Sequence, residues 1–385
     1  MAIGHVAIIG AGIGGLAAAI AARRAGLKVS VFEQAPRIEP LGASVTLWPN
    51  AVGCLRSLGV AEKVLSKSAA VRTTEVRSIN GRVLVHVPMQ PLYDEAGEIG
   101  ICITRADLQG ALLDELGADT VTFNCRLRSF ASNAAHVELD FEDGQRSQAD
   151  LVIGADGLRS TARQQLFGDG PPRYAGYGAW LGLAELEHPE LKREFGCEIY
   201  GAGERFGVID TGRGKYYWYF VENRSVPSEK VEAGDPAVLL SKLHDWPSFT
   251  RALVEGTDSR KIQFVSFFDR SARNVWGNGR VLLLGDAIHP YVPNLGQGAC
   301  QAIEDAHVLG HAFRKGLTPV ELLSYYQSAR VERAAMFGRD SIRMGKAAQV
   351  TNPFLRWFRD NVLRLVPSSV HAKQLKTHFA LPTLS

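Results

Sequence analysis

The stretch HVAIIGAGIGGLAAAIAARRAGLKVSVFEQ, residues 5–34, constrains the fold more than any other part of the chain. Val6 to Ile9 are continuously apolar, which suits a strand covered on both faces. Gly10, Gly12 and Gly15 follow as G-x-G-x-x-G, with Ile13 and Gly14 inside the motif. The first glycine permits a tight turn, the second lets a pyrophosphate approach the backbone, and the third lets helix and strand pack closely. An alanine-rich helix then ends near Gly26, and KVSVFE supplies a second strand. Its last residue, Glu33, is placed to accept hydrogen bonds from a ribose 2′-hydroxyl and would repel a 2′-phosphate. A strand–turn–helix–strand unit of this kind predicts dinucleotide binding. NAD and FAD both remain open, because each places its ADP half this way.

The rest of the chain separates the two. A nicotinamide dehydrogenase would continue with regular βα units. Instead TTEVRSINGRVLVHVP alternates like two strands around an Asn-Gly turn. ICITRADLQGALLDEL starts a helix after Thr104 and Arg105, and residues 127–150 read as a β-meander. LVIGADGLRS is another apolar strand, ending in Gly154, Asp156 and Gly157. From Pro171 to about Asp269 the pattern is mostly strands, including KYYWYF, with a helix near Pro236–Leu243. GRVLLLGDA returns to a buried, parallel-type strand, and helices fill the remainder. The order predicts an α/β fold: a Rossmann-like domain interleaved with a sheet-rich domain, followed by C-terminal helices.

Composition bounds the function classes. A chain of 385 residues exceeds what one hydrophobic core usually supports. No Lys/Arg-rich patch is interleaved with aromatics, so nucleic acid is not an expected partner. The formal net charge is +3, but residues 351–385 alone hold five Lys/Arg against one acid. Five scattered cysteines (Cys54, Cys102, Cys125, Cys197, Cys300) form no C-x-x-C pair, and no histidine cluster has metal-ligand spacing. Reduced thiols, no metal and a cytoplasmic location are the expectation. The chain enters HVAIIGAG at once, without the pattern of a signal peptide, and the apolar run Leu16–Ala22 is too short to span a bilayer.

Three elements together, G-x-G-x-x-G at 10–15, GADG at 154–157 and GDAIHP at 285–290, resemble the class A, single-component flavoprotein monooxygenases of the para-hydroxybenzoate hydroxylase type. The likeness runs to about residue 340. LWPNAVGCLRSLGV (47–60) and AGERFGVID (202–210) are most similar to urate-hydroxylase-like members, and FLRWFRDNVLRLVP to alkylquinolone hydroxylases. The resemblance implies a discontinuous FAD-binding domain over 1–70, 101–170 and 275–345. It implies a β-sheet substrate domain over 71–100 and 171–274, and a helical segment over 346–385.

It also implies roles. Asp286 would accept hydrogen bonds from the FAD ribityl hydroxyls, and Pro290 and Pro293 would stiffen the passage to the flavin ring. Gly296, Gln297 and Gly298 would open a helix whose free N–H groups face the flavin N1–C2=O edge, where negative charge develops on reduction. Arg105 matches the arginine that reaches the flavin phosphates or ribityl chain. Asp156 and Gly157 match a motif that touches FAD and the hydride donor. Arg205 and Tyr217 align with substrate-contacting residues of urate-type members. Blander roles stay open: a turn cap for Asp286 and Asp156, a solvated surface charge for Arg105 and Arg205, and a core position for Tyr217. His289 is either bonded to a backbone carbonyl or placed near the flavin.

With only one G-x-G-x-x-G in the chain, NAD(P)H would dock transiently on noncovalent FAD, and O₂ would add as a flavin C4a-hydroperoxide that hydroxylates a small aromatic or nitrogen-heteroaromatic ring. The alternatives are an oxidase or reductase of the same fold, and a flavin-binding protein that sequesters ligand without turnover. A monomer or homodimer is expected. In the tail, Phe354, Leu355, Phe358, Val362 and Leu365 at helical spacing predict an amphipathic helix packed on its own protein, with membrane-surface contact as the lesser alternative.

Overall fold

The computed structural model describes residues 3–38, 44–228 and 232–384. The nucleotide-type unit comprises β1 (His5–Ile9), α1 (Ile13–Arg24) and β2 (Lys28–Phe32). Later elements are α2 (Arg105–Leu116), β3 (Leu151–Gly154), β4 (Arg173–Glu185), β5 (Phe195–Tyr200), β6 (Glu204–Gly212), β7 (Lys215–Asn223) and β8 (Val281–Leu283). Helices α3 (Gly298–Arg314), α4 (Pro319–Ala348), α5 (Pro353–Leu365) and α6 (Ser368–Phe379) follow.

β1 lies between β2 and β3, and β3 pairs with β8, all in parallel. Short strands at Gly277–Asn278 and Val121–Thr122 complete this sheet at its two edges. Val6, Ala7 and Ile8 are fully buried, as continuous apolar strands in a covered parallel sheet must be. The alanine run of α1 has a packing reason: Ala17 to Ala22 are all buried, and a Cβ added at Gly310 of α3 would lie 3.1 Å from the Ala21 Cβ. Small side chains on both helices let them approach closely over the sheet.

Among the described residues the second sheet has eight strands. Its centre runs β4–β7–β6–β5 in antiparallel pairs, and the hairpin Thr73–Ser78/Val83–Pro88 joins beyond β5. Period-two alternation splits β7 between two environments. Tyr216, Trp218 and Phe220 enter a core with Phe206, Trp246 and Phe264. Tyr217, Tyr219 and Val221 face the other way, toward the cavity described below.

Among the described residues no helix is long and apolar enough to cross a membrane. The tail corrects one expectation. Phe354, Leu355, Phe358, Val362 and Leu365 do lie on one face of a helix, α5, but that face is exposed rather than packed on the protein. The physical reason is that Arg359, on the opposite face, takes the buried position against the end of α4.

Candidate active site

A cavity of about 590 Å³ opens between the carboxyl ends of the parallel strands and the bare face of the eight-stranded sheet. Its first wall is backbone. Gly12 stands at the N-cap of α1 and Gln297 at that of α3, and neither helix has a side-chain cap or an acid in its first turn. By contrast α2 is capped by Thr104 and α4 by a Thr318–Glu321 capping box. Two helix N-termini thus turn unsatisfied N–H groups and positive dipole ends into one space. Gly12, Ile13, Gly14 and Gly15 line it at one end, Pro293, Gly296 and Gly298 at the other.

Gly15 and Gly12 are glycine for different reasons. A Cβ at Gly15 would stand 2.0 Å from the Gly10 carbonyl oxygen, whereas one at Gly12 would meet no protein atom within 4 Å. Gly12 therefore borders space that the protein itself leaves open. Glu33 sits beyond the lining, where its carboxylate accepts the Ala11 N–H at 2.7 Å and the Ala35 N–H at 2.9 Å.

Arg105 and Asp286 face each other across the middle. The Arg105 Nε is buried without a hydrogen-bond partner, and burial lowers its pKa against the pull of Asp286 and Tyr217. Asp286 has open surface, but that surface borders the cavity and protein packs around it. The resulting desolvation raises its carboxyl above the ordinary range, although His289 and Arg105 act the other way. Gly157 also lines the cavity. Asp156 turns inward instead, accepting the Ser160 hydroxyl at 2.5 Å and the Ala162 N–H at 3.1 Å.

Behind this wall lies a charged cluster that motif reading did not reveal. Asp305, Glu304 and Arg330 are fully buried, and Arg330 Nε donates to Asp305 at 2.7 Å. Asp305 also accepts the Gly285 N–H at 3.0 Å and contacts His289 Nε2 at 2.6 Å. His289 therefore stands behind the loop rather than in the cavity, its ring stacked on Tyr291. Gln297 is likewise buried, accepting from Asn50 at 3.0 Å.

The sheet supplies the second wall. Glu198, Gly207 and Tyr219 form one row across β5, β6 and β7. The missing side chain at Gly207 lets the Tyr219 ring lie across β6, because a Cβ there would fall 2.0 Å from it. Tyr219 then donates to Glu198 at 2.9 Å. Arg205 is 2% exposed, stands 3.3 Å from the Glu198 carboxylate and donates to Asn294, which donates in turn to Tyr177 at 2.8 Å. Burial works against the Arg205 charge, but Glu198 and the surrounding tyrosines hold its pKa above the ordinary value. Its Nε and Nη1 make no hydrogen bond. Tyr217 lines the same wall, and burial pushes its phenol well up. Arg205 and Tyr217 were visible in the chain, whereas Glu198 and Tyr219 meet only through strand register, and Asn294 reaches Arg205 from the turn before α3.

The wall of backbone donors, the unpartnered arginine and the open border at Gly12 fit a dinucleotide whose phosphates and ribityl chain lie along them. A family model described as "FAD binding domain" matches residues 4–340. The chain belongs to the class A FAD-dependent monooxygenases. This monooxygenase is 35% identical to the aurachin C monooxygenase/isomerase of Stigmatella aurantiaca, over 94% of each chain. It is 32% identical to an FAD-dependent urate hydroxylase of Klebsiella pneumoniae, over 92% of this chain and 94% of that one. The crystal structure of Klebsiella pneumoniae HpxO with FAD and uric acid superposes with a TM-score of 0.90 at 28% identity, covering 98% of this monooxygenase and 96% of that chain. Its cofactor is FAD.

Proposed function

We propose that the enzyme uses NAD(P)H and O₂ to hydroxylate a small nitrogen-heteroaromatic compound that carries a ring carbonyl. The observation that carries this reading is Arg205: a buried guanidinium on the cavity wall, ion-paired through Nη1 to Glu198 at 3.3 Å, yet with its Nε unbonded. Buried donors without partners are costly, and a carbonyl or enolate oxygen of a bound ring would satisfy them. Glu198 already balances the arginine charge, so the wall offers an acceptor beside a donor. That pairing matches the N–H and C=O edge of a lactam-like ring better than a lone carboxylate. Tyr217 would hydrogen-bond the same ring, and the apolar side chains Leu181, Ile209, Val221 and Phe267 would flank it. Relatives named for urate and aurachin C support a heteroaromatic substrate.

The Gly12–Gly15 backbone would hold the FAD pyrophosphate and Glu33 the adenosine ribose. Arg105 and Asp286 would hold the phosphates and ribityl chain, with Gly157 beside them. The start of α3, from Gly296 to Gly298, would face the flavin ring, with Pro293 closing its edge. These residues would hold an FAD whose chemistry would supply hydride acceptance from NAD(P)H and activation of O₂ for transfer of one oxygen atom. The protein's part is to fix the ring against that cofactor and to keep water out of a largely apolar pocket.

The test is stopped-flow flavin reduction with urate-like purines, hydroxyquinolones, hydroxypyridines and hydroxybenzoates. One nitrogen-heteroaromatic class should accelerate reduction, with product matching O₂ uptake. Arg205→Ala should lose most of that acceleration while keeping its FAD. Acceleration by hydroxybenzoates alone would refute the heteroaromatic assignment, and an Arg205→Ala enzyme that responds like wild type would refute the role of the arginine.

A further inference from the structure

Helix α5 is mounted inside out. Its outward face carries Phe354, Leu355, Trp357, Phe358, Val362 and Leu365, with Phe354 and Leu365 at 68% and 73% exposed. Among the described residues Phe354 and Trp357 have only each other as aromatic partners, their ring centres 6.0 Å apart. The inward face carries charge. Arg359 is buried, donates to the Ala348 carbonyl at 3.2 Å at the end of α4, and pairs with Asp360 at 2.8 Å. Its guanidinium lies 4.7 Å from the Tyr200 ring centre. A soluble helix normally presents the reverse arrangement, and a contiguous apolar face of this size marks an interaction surface.

We propose that α5 is a membrane-surface anchor, its outward face lying in the headgroup layer of a bilayer that contains anionic lipid. The residue set favours lipid: tryptophan, phenylalanine and leucine on one face suit the boundary between acyl chains and headgroups. The charge favours it too. Residues 351–385 hold five Lys/Arg against one acid; Arg359 is buried against Asp360 and Lys376 pairs with Glu95, but Arg364 on α5 and Lys373 on α6 are exposed. An isologous dimer through this face would bring two such basic segments together, whereas an anionic surface attracts them. With 13 residues, α5 lies on a bilayer and does not cross it.

The anchor sits at the substrate end of the cavity. Tyr200, under Arg359, is the register partner of Arg205. At the end of α4, a Cβ on Gly345 would lie 2.4 Å from Asn294 and 2.7 Å from Tyr177. Docking α5 therefore brings the polar wall of the cavity to the lipid interface, and a heteroaromatic substrate with a lipophilic substituent would reach it from the bilayer. This last consequence rests on the proposed function; the anchor itself does not.

The experiment is flotation of the full-length, FAD-loaded protein with vesicles of phosphatidylcholine, with and without phosphatidylglycerol. Wild type should float with the phosphatidylglycerol vesicles, and 1 M salt should weaken this by screening. Trp357→Glu/Phe358→Glu should lower the partition coefficient roughly tenfold or more at unchanged FAD content, because both side chains are exposed and outside the cavity. Wild type that ignores both vesicle types would overturn the anchor. So would a wild-type dimer that the same variant splits into monomers while neither binds vesicles, since a second copy would then cover the face. Vesicle binding without heteroaromatic-stimulated flavin reduction would support the anchor and sink the proposed function alone.

Discussion

Asp305 and Gly285 are joined by a 3.0 Å hydrogen bond from the Gly285 N–H to the Asp305 carboxylate, which also holds His289 at 2.6 Å. One carboxylate on α3 thus braces the turn that presents Asp286 to the cavity. Burial opposes its ionisation, but His289 and Arg330 overcome that and keep its pKa below the ordinary range. Asp305→Ala should destabilise the fold by about 3–5 kcal/mol, because it leaves the buried Arg330 with less than its full set of partners. Urea unfolding followed by circular dichroism measures this. His289→Gln should lower FAD affinity without changing the shape of the kcat–pH profile, since His289 does not line the cavity.

Two glycine substitutions should fail differently. Gly15→Ala forces a Cβ against the Gly10 carbonyl and should unfold the nucleotide unit, seen as a lower melting temperature of the FAD-free protein. Gly12→Ala meets no protein atom, so the FAD-free melting temperature should stay near wild type while FAD binding is lost. Equal loss of apoprotein stability in both would contradict the assignment of Gly12 to cofactor contact.

Asp286→Ala and Glu33→Arg should each weaken FAD binding. Losing a hydrogen bond to a charged partner costs about 1.5–3 kcal/mol, or about ten- to a hundredfold in affinity. Glu33→Arg should also loosen the turn, because Glu33 accepts the Ala11 and Ala35 N–H groups. Fluorescence of FAD released on dilution provides the measurement.

Acid sensitivity should trace partly to His307, whose pKa burial lowers to about 4. The unfolded chain takes up this proton near pH 6.5, the folded chain only near 4, so the unfolded state binds more protons between them. Stability should therefore fall as pH drops through that window and level off below it. The contribution is up to about 3 kcal/mol, less where solvent reaches the ring. His307→Phe should flatten the pH dependence of the urea midpoint between pH 6.5 and 4.

The parallel sheet and the glycine turn were legible because their signals are local. Val6–Ile9 had to be covered on both faces, and the G-x-G-x-x-G spacing dictates a strand entering a helix. Gln297 and His289 show where local reading stops. Each stands in a motif beside cavity-lining residues, but one turns to Asn50 and the other to Asp305. Adjacency in sequence does not settle which way a side chain points.

The α/β fold class was legible in the sequence, since backbone conformation and burial repeat with short periods, and FAD was implied by the resemblance that the three glycine-containing motifs carry. Tertiary structure alone decided the polar wall and the face of α5. Glu198, Gly207 and Tyr219 belong to three different strands, and only strand register brings them into one row. Helical periodicity placed the apolar residues of α5 on one side. Which side faces the protein depended on Arg359 finding the Ala348 carbonyl and the Tyr200 ring, two partners far away in the fold or beyond the helix itself.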